Sequence, residues 1–460
     1  MKSRILSLVI SMMLVFGCIT ALSSCALARG VLDALIPDGA GGIFGSGESG
    51  DGEEEKEEEG GEKDDSENSN IGDGTTDGDI DGGDDGLGSG AGEEDEKIEF
   101  IPGSADGALD ADGLTSAQRA LLSTVIVRPV FDVNSGYTSR EEIVNGSGVI
   151  YSIDREAGDA IIITNYHVVF YKEALTDDRI SDEINVYLYG MESEQYKITA
   201  EFIGGALTED IAVLKVSGSE VIKNSCAVSA IIGDSAALSV TDKVLAVGNP
   251  EGDGISASEG IVSVSSETID MTGADGRTTI SLRVIRVDAG VNQGNSGGAL
   301  YDASGRLVGI VNAKKTGSEI DNIAWALPIN RVKNLVENIL DNCDGAESKN
   351  PKKAVIGITL YAAAMGVRVD AESGDVIRYE VVEVYEITDT CIIPDKIQLG
   401  DRVLYTVVDG VRLDADRVHK VVDHLLRARV GSELIIGIER DGEVSEITIT
   451  LTEESFVTIK

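Results

Sequence analysis

The 460-residue sequence is poor in basic residues, cysteines and histidines, and each shortage narrows the possible functions. Its 38 Lys and Arg face 81 Asp and Glu, giving a net charge of −43. Nucleic-acid binding requires clustered cations on the protein surface, so we exclude that class of partner. Beyond the N-terminal region the cysteines are isolated and form no CxxC pair, namely Cys226, Cys343 and Cys391. This spacing predicts neither a zinc site nor a disulfide framework, and we expect no metal or other cofactor.

Residues 1–25 have the pattern of a secretion signal. Lys2 and Arg4 precede an apolar run over residues 5–22, which ends in the sequence LSSC at Cys25. This resembles a bacterial lipoprotein signal, in which the cysteine receives the lipid and becomes the new N-terminus. The alternative is an uncleaved membrane anchor, because about 18 apolar residues can just span a bilayer. Both interpretations predict an extracytoplasmic protein anchored to the cell membrane, in the first case through Cys25.

Residues 26–115 are predicted to be a disordered, acidic tether. Residues 41–100 alone hold 23 Asp or Glu, 3 Lys and 17 Gly. Such a composition buries too little apolar surface to offset the entropy of an ordered chain. Asp77, Asp79 and Asp81 resemble the start of a calcium loop, but Gly88 stands where a bidentate Glu is needed. A plain tether is therefore favoured, whether it serves as a spacer or as a sink for cations.

The fold class is predicted to be mainly β from about residue 116 onward. Short β-branched runs separated by turn residues recur between residues 148 and 327, as in a sandwich or barrel. About 220 residues suit two barrels better than one. An amphipathic helix with Asn330 as its cap closes this region at residue 343. Residues 344–351 are polar and break the helix, so they are assigned as a linker before a small α+β module over residues 352–456.

Ser296 lies in the glycine-rich sequence GNSGG over residues 294–298. Glycines allow positive φ angles, so the N–H groups of such a turn can converge beside the hydroxyl and bind an oxyanion. The pattern also matches the nucleophile elbow of α/β-hydrolases, which requires a strand before the serine and a helix after it. Here residues 299–311 are predicted to form a strand, a turn and a second strand. That pattern argues against the elbow.

A base and an orienting acid are needed to activate a serine, and the sequence offers few candidates. His167 is the only histidine before Ser296, at the end of an apolar run. Asp210 stands at the start of another apolar run. The order His, Asp, Ser is that of chymotrypsin-type proteases. His419 and His424 fall on an amphipathic helix of the last module, where we expect exposed side chains without a ligand role.

Several sequence blocks resemble the HtrA/Deg family of serine proteases. They are TNYHVV (164–169), DIAVLK (210–215), VGNP (247–250), SEGIVS (258–263), GNSGGAL (294–300) and AWALPIN (324–330). The last module resembles the PDZ domain of that family through VIGI (355–358) and LGD (399–401). The resemblance covers roughly residues 120–455. It implies a chymotrypsin-like double β-barrel over residues 116–343, followed by a PDZ-like domain.

The resemblance also implies roles for individual residues. Ser296 would be the nucleophile, His167 the general base and acid, and Asp210 the group that orients the imidazole. The N–H groups of Gly294 and Ser296 would form the oxyanion hole. Substrate would lie along Ala324, Trp325 and Ala326, and a peptide carboxylate would bind the loop formed by Ile356, Gly357 and Ile358. Three loops would form or undo the oxyanion hole, at residues 251–258, 291–293 and 313–322.

Three departures from the family pattern bear on this assignment. Ala299 stands where proline is usual, and Ala324-Trp325 stands where Gly-Phe is common, which would narrow the primary pocket. Residues 388–398 lack the usual Ala-Gly-rich turn and carry Cys391 and Pro394.

The sequence therefore predicts a membrane-anchored serine endopeptidase that degrades unfolded proteins by acyl-enzyme chemistry. The resemblance implies a homotrimer with unfolded polypeptides or peptides as partners. The alternative is a proteolytically silent holdase or scaffold that binds extended peptides in the PDZ-like groove.

Overall fold

The computed structural model describes residues 112–134, 139–312, 323–369, 371, 374 and 376–460. All of them belong to one compact unit, Gly90–Lys460. Three features predicted from sequence lie outside the described residues: Cys25 with its signal, the possible calcium loop, and the loop at 313–322. The tether prediction lies outside them too, except at residues 112–115. No helix in the described ranges is long and apolar enough to cross a membrane.

The first barrel is a closed sheet of six strands. After helix α1 (Ser116–Leu122) come β1 (Thr124–Asn134), β2 (Ser139–Ile143), β3 (Gly146–Asp154), β4 (Asp159–Thr164), helix α2 (Tyr166–Val169), β5 (Glu183–Leu188), β6 (Ile198–Ala206), β7 (Ile211–Val216) and helix α3 (Glu220–Lys223). The sheet order β1-β3-β4-β7-β6-β5 closes because β5 also pairs with β1, and β2 extends β1 outside the ring. Alternate β-branched residues fill its interior, as expected for a small barrel.

The second barrel has the same closed form. Its elements are β8 (Ile231–Ile232), β9 (Lys243–Gly248), β10 (Ser256–Thr272), β11 (Thr279–Val287), β12 (Ala299–Asp302), β13 (Arg306–Asn312) and β14 (Ala324–Pro328). The order β9-β10-β11-β14-β13-β12 closes where β12 pairs with β9, and β8 joins β13 in parallel. The predicted double barrel is confirmed.

Helix α4 (Ile329–Cys343) closes the barrel region and buries the predicted apolar stripe. Val332, Leu335, Val336 and Ile339 are all at most 1% exposed. The predicted cap is wrong, because the helix starts at Ile329 after Pro328. Asn330 lies inside the first turn, and its side chain accepts from the Ser235 N–H instead.

The C-terminal module combines a twisted sheet with one main helix and has its own apolar core. It contains β15 (Lys352–Ala354), β16 (Ile358–Val369), β17 (Val376–Ile387), β18 (Arg402–Val408), β19 (Val411–Asp414), helix α5 (Val418–Leu425), β20 (Glu433–Arg440), β21 (Glu443–Thr450) and β22 (Phe456–Thr458). The sheet order is β16-β17-β18-β20-β21, with β19 on β18. The β20–β21 hairpin turns at Asp441 and Gly442, both with positive φ.

Buried ion pairs join the module to the second barrel. Asp423 of α5 accepts hydrogen bonds from Arg283 of β11 and from Arg331 of α4. Arg331 also donates from Nε to Glu209, at 2.9 Å. The side chain of Asp423 is only 10% exposed. This largely desolvated carboxylate therefore links the C-terminal module to β11 and α4.

The prediction for the two helical histidines is wrong. His424 is 5% exposed and its Nδ1 bonds the Thr406 hydroxyl at 2.7 Å, while His419 is half-buried. Helix α5 contacts both β18 and α4, so two of its faces are covered. The apolar stripe in the sequence reveals only one of them.

Candidate active site

His167 and Asp210 are in direct contact. The polypeptide leaves β4 and enters the short helix α2, which carries His167 on its first turn. The Nδ1 atom of His167 lies 2.8 Å from Oδ2 of Asp210, and the His167 backbone N–H donates to Oδ1 at 3.0 Å. Asp210 is 2% exposed and has a φ of 53°. A backbone conformation that side chains rarely adopt thus directs the carboxylate at the imidazole.

Two asparagines fix Asp210 from other strands. Asn165, at the start of α2, donates from Nδ2 to the Asp210 carbonyl at 2.9 Å. Asn312, the last residue of β13, donates from Nδ2 to Oδ2 of Asp210 at 2.8 Å. The sequence analysis assigned neither residue a role. The only signal available was a polar residue at the end of an apolar run.

The Ser296 turn packs against the segment that precedes His167. Gly297 has a φ of 83°, and a Cβ there would overlap the Ser147 carbonyl and the Thr164 hydroxyl. It would also lie 3.1 Å from the Asn165 backbone nitrogen. Only glycine permits this approach, which brings the serine turn of the second barrel against the residues immediately before His167 in the first.

Ser147 of β3 holds the turn in place. Its backbone N–H donates to the Ser296 carbonyl at 2.8 Å, and its hydroxyl donates to the Gly294 carbonyl at 2.7 Å. The same hydroxyl accepts from the Asn249 N–H at 2.8 Å. One fully buried serine therefore connects β3 of the first barrel with two loops of the second. The sequence analysis missed it, since Ser147 sits in an ordinary strand pattern.

Gly294 has a backbone conformation that favours glycine. Its φ is 96°, and a Cβ there would overlap the Asn249 carbonyl. The Gln293 carbonyl accepts from the Glu251 N–H at 2.7 Å. The C=O and N–H of a trans peptide point in opposite directions, so the Gly294 N–H points away from Glu251.

The strand proposed to lie beside substrate is β14. Ala324 and Ala326 are buried, whereas Trp325 is half-buried. The indole N–H of Trp325 donates to Glu267 at 3.1 Å, and Glu267 also pairs with Arg286 at 3.5 Å. Trp325 is thus held by a polar partner on β10.

The VIGI loop of the last module is already bonded to its own module. The Gly357 carbonyl accepts from the Thr388 N–H at 2.9 Å, and the Ile356 carbonyl accepts from the Ile392 N–H at 3.2 Å. Gly357 has a φ of 76°, and a Cβ there would overlap the backbone of Cys391. Residues 388–392 therefore pack directly on this loop, and Ile358 begins β16.

The contact between His167 and Asp210 determines which ring nitrogen of His167 can accept a proton. With Nδ1–H of His167 donating to Asp210, the other ring nitrogen is left as a proton acceptor. In the described ranges no cluster of three or more His, Cys, Asp or Glu could hold a metal ion.

Comparison with known proteins agrees with the geometry. Residues 146–310 match the family described as "Trypsin-like peptidase domain". The chain is 38% identical over 214 residues to the serine protease Do-like HtrB of Bacillus subtilis, covering 46% of this chain and 42% of the relative. It is 31% identical over 282 residues to the serine protease Do-like HtrA of Lactococcus lactis subsp. cremoris, covering 54% of this chain and 64% of the relative.

A solved structure, "HtrA-type protease AlgW with decapeptide", is 22% identical with a TM-score of 0.46, covering 74% of this chain and 97% of that one. The chain spans less than two thirds of the length of the two curated relatives. It carries a trypsin-like peptidase domain and is similar to the HtrA/Do-like serine proteases over that part of its length.

Proposed function

We propose that the protein is a serine endopeptidase with Ser296 as nucleophile, His167 as general base and acid, and Asp210 as the orienting carboxylate. The observation that carries this proposal is the buried His167–Asp210 pair at 2.8 Å. The Gly297 backbone contacts the residues immediately before His167. A histidine oriented by a buried acid beside a serine in a glycine turn is the arrangement that activates a hydroxyl.

The reaction proceeds in two steps. Ser296 Oγ attacks the scissile carbonyl carbon and forms the C–O bond, while its proton passes to Nε2 of His167. The carbonyl oxygen becomes an oxyanion, bound by the Gly294 and Ser296 N–H groups. Imidazolium then protonates the leaving amine, which releases one peptide and an acyl-enzyme. Water, deprotonated by His167, hydrolyses the ester and restores Ser296.

Its substrates are unfolded or damaged polypeptides at the cell envelope. The resemblance of the sequence blocks to the HtrA/Deg family implies this substrate class, and the signal-like residues 1–25 support anchoring through Cys25. The same resemblance implies assembly as a homotrimer. Substrate binds along Ala324, Trp325 and Ala326, and the VIGI loop receives a peptide carboxylate. The proposed architecture keeps the sequence-based division, with the protease domain at 116–343 and the PDZ-like domain at 352–456.

The test incubates the chain lacking residues 1–25 with an unfolded protein substrate, alongside two serine variants. Ser296→Ala removes the nucleophile and should abolish cleavage. Ser304→Ala, in the turn between β12 and β13, is the matched control and should cleave like the parent. Equal cleavage by the parent and Ser296→Ala would refute the assignment of the nucleophile.

If neither the parent nor the control cleaves, a fluorophosphonate probe distinguishes the remaining outcomes. Labelling that depends on Ser296 supports an enzyme with a competent triad that lacks its activating signal. Absence of labelling rejects the protease and leaves the peptide-binding holdase. Mass measurement in solution tests the trimer separately.

A further inference from the structure

A deep cleft lies between the second barrel and the C-terminal module, and none of the proposed catalytic residues lines it. It encloses about 1140 Å³. One wall is formed by residues 232–242, and the facing wall by α5, β19 and the adjoining ends of β16 and β17. We call it the junction cleft. Pockets for single small molecules hold about 300–1,000 Å³, so this cleft accommodates a larger ligand.

The residues that line the junction cleft include more basic than acidic side chains. Eight Lys and Arg but only four Asp line it, in a protein of net charge −43. A concave surface with an excess of one charge concentrates its field and raises the local concentration of counter-ions. The cleft therefore favours anions, although most of the protein surface repels them.

Some of these cations are already paired, and others have no ion pair. Arg283 pairs with Asp423 and Lys420 with Asp416, both inside the cleft. Three other cleft cations pair with acids outside the lining, namely Lys333 with Glu337, Arg412 with Asp414 and Arg417 with Glu380. Within the part of the chain that the structure describes, three cleft arginines have no ion-pair partner, namely Arg368, Arg378 and Arg427. A guanidinium group matches the geometry of carboxylate and phosphate oxygens, so these three are available to a ligand of that kind.

A buried imidazole in the cleft lacks a partner on one nitrogen. His424 is 5% exposed and uses Nδ1 to bond Thr406. Its Nε2, like the Nε of Arg283, is buried with no hydrogen-bond partner among the described residues. Buried polar atoms are nearly always bonded, and both of these side chains line the cleft. An acceptor supplied by a ligand would satisfy them.

The surroundings hold both cleft histidines neutral at pH 7. Burial, and then the Arg283 charge, lowers the pKa of His419 to about 3. Burial, and then the Arg427 charge, lowers the pKa of His424 to about 4. The positive charges of Arg283 and Arg427 disfavour protonation of the imidazoles. A bound anion would offset these charges and would therefore raise the pKa of both histidines.

We propose that the junction cleft binds a multivalent oxyanion, a molecule bearing several phosphate or carboxylate groups. Arg378 and Arg427 contact its charged groups, and the Nε2–H of His424 donates to one oxygen inside the cleft. The three cleft arginines without an ion pair suit a ligand that carries several anionic groups. This site is independent of the chemistry at Ser296, so its test needs no proteolysis.

Titration calorimetry of the full chain at pH 7.5 and low salt tests the proposal, with inorganic tripolyphosphate and citrate as separate probes. The double variant Arg378→Gln with Arg427→Gln should weaken binding at least tenfold. The matched control, Arg140→Gln with Arg402→Gln, removes the same charge from exposed ion pairs outside the cleft and should bind like the parent. Tighter binding of one probe identifies phosphate or carboxylate as the preferred group.

Two results would overturn the site. One is the absence of binding of either probe up to millimolar concentration. The other is an equal loss of affinity in the control and the cleft variants. That result would mean that binding depends only on the overall charge of the protein. Independently of the arginine variants, the proton signals of the His424 ring should report a higher pKa when the preferred anion is bound. An unchanged pKa contradicts the proposed contact.

Discussion

Asn312 and His167 share one oxygen of Asp210, with Nδ2 and Nδ1 each 2.8 Å from Oδ2. Asn312 thereby stabilises the carboxylate by a hydrogen bond and keeps the group facing the imidazole. Its position at the end of β13 places a second-barrel residue on the acid that orients a first-barrel histidine.

We predict that Asn312→Ala lowers kcat/KM by about 10- to 100-fold, the range expected when a charged group loses a hydrogen bond worth about 1.5–3 kcal/mol. Because the imidazole then loses only its orientation, the decrease should appear in kcat rather than in KM. The control Asn224→Ala removes an exposed helix-capping amide and should change neither quantity. A loss of stability with an unchanged kcat would mean that Asn312 acts on packing alone.

Gly294→Ala should reduce kcat by about 100- to 1,000-fold, the usual effect of losing one oxyanion donor. A Cβ would overlap the Asn249 carbonyl, so the peptide that carries the N–H must rotate. Gly410→Ala provides the control, because its φ is 80° but no atom lies within 4 Å of the added Cβ. That variant should show only a backbone cost of about 1–2 kcal/mol, with full activity. Comparable kcat losses in both variants would exclude a specific role for Gly294.

Asp423→Asn should destabilise the protein by about 3–5 kcal/mol, because two buried arginines lose their shared carboxylate. Urea unfolding measures this loss. Asp341→Asn is the comparison, since Asp341 pairs with Arg429 but its side chain is 61% exposed. Exposed pairs contribute at most about 1 kcal/mol. Similar losses for the two variants would show that burial of Asp423 does not determine its contribution.

Acid should destabilise the fold partly through His424. Its pKa falls to about 4 on folding, while the unfolded group keeps a pKa of about 6.5. The contribution of His424 to the free energy of unfolding is fully present above pH 6.5 and is lost as the pH falls towards 4. Between these pH values only the unfolded state binds a proton at this residue. The loss attributable to this residue is on the order of 3 kcal/mol. Unfolding curves of His424→Gln should decline less over this pH range, and parallel curves would contradict the assignment.

Periodicity and motif order predict the barrels, α4 and the order of His167, Asp210 and Ser296, because each rests on a local pattern. Contacts between segments that are far apart in the sequence produce no local pattern. Ser147 and Gly294 are 147 positions apart, and Asn312 and Asp210 are 102 apart. Neither pair has a sequence signature, since a polar residue in a strand is equally compatible with a solvent-facing position.

The failed predictions have the same origin. Asn330 has the residue type of a helix cap, but α4 begins at Ile329, two residues earlier than a cap at Asn330 predicts. His424 lies off the apolar stripe of α5, yet its Nδ1 bonds Thr406 of β18, so that face of the helix is covered as well. Local preference cannot reveal a second packing partner that comes from another part of the chain.

Ser147 makes three hydrogen bonds that join β3 of the first barrel to loops of the second. The position of the proposed nucleophile therefore depends on both barrels being folded. If β3 detaches, the nucleophile turn loses the anchors of two carbonyls, even while the second barrel remains closed. On the proposed mechanism, loss of β3 would therefore disable the nucleophile while much of the fold is still intact.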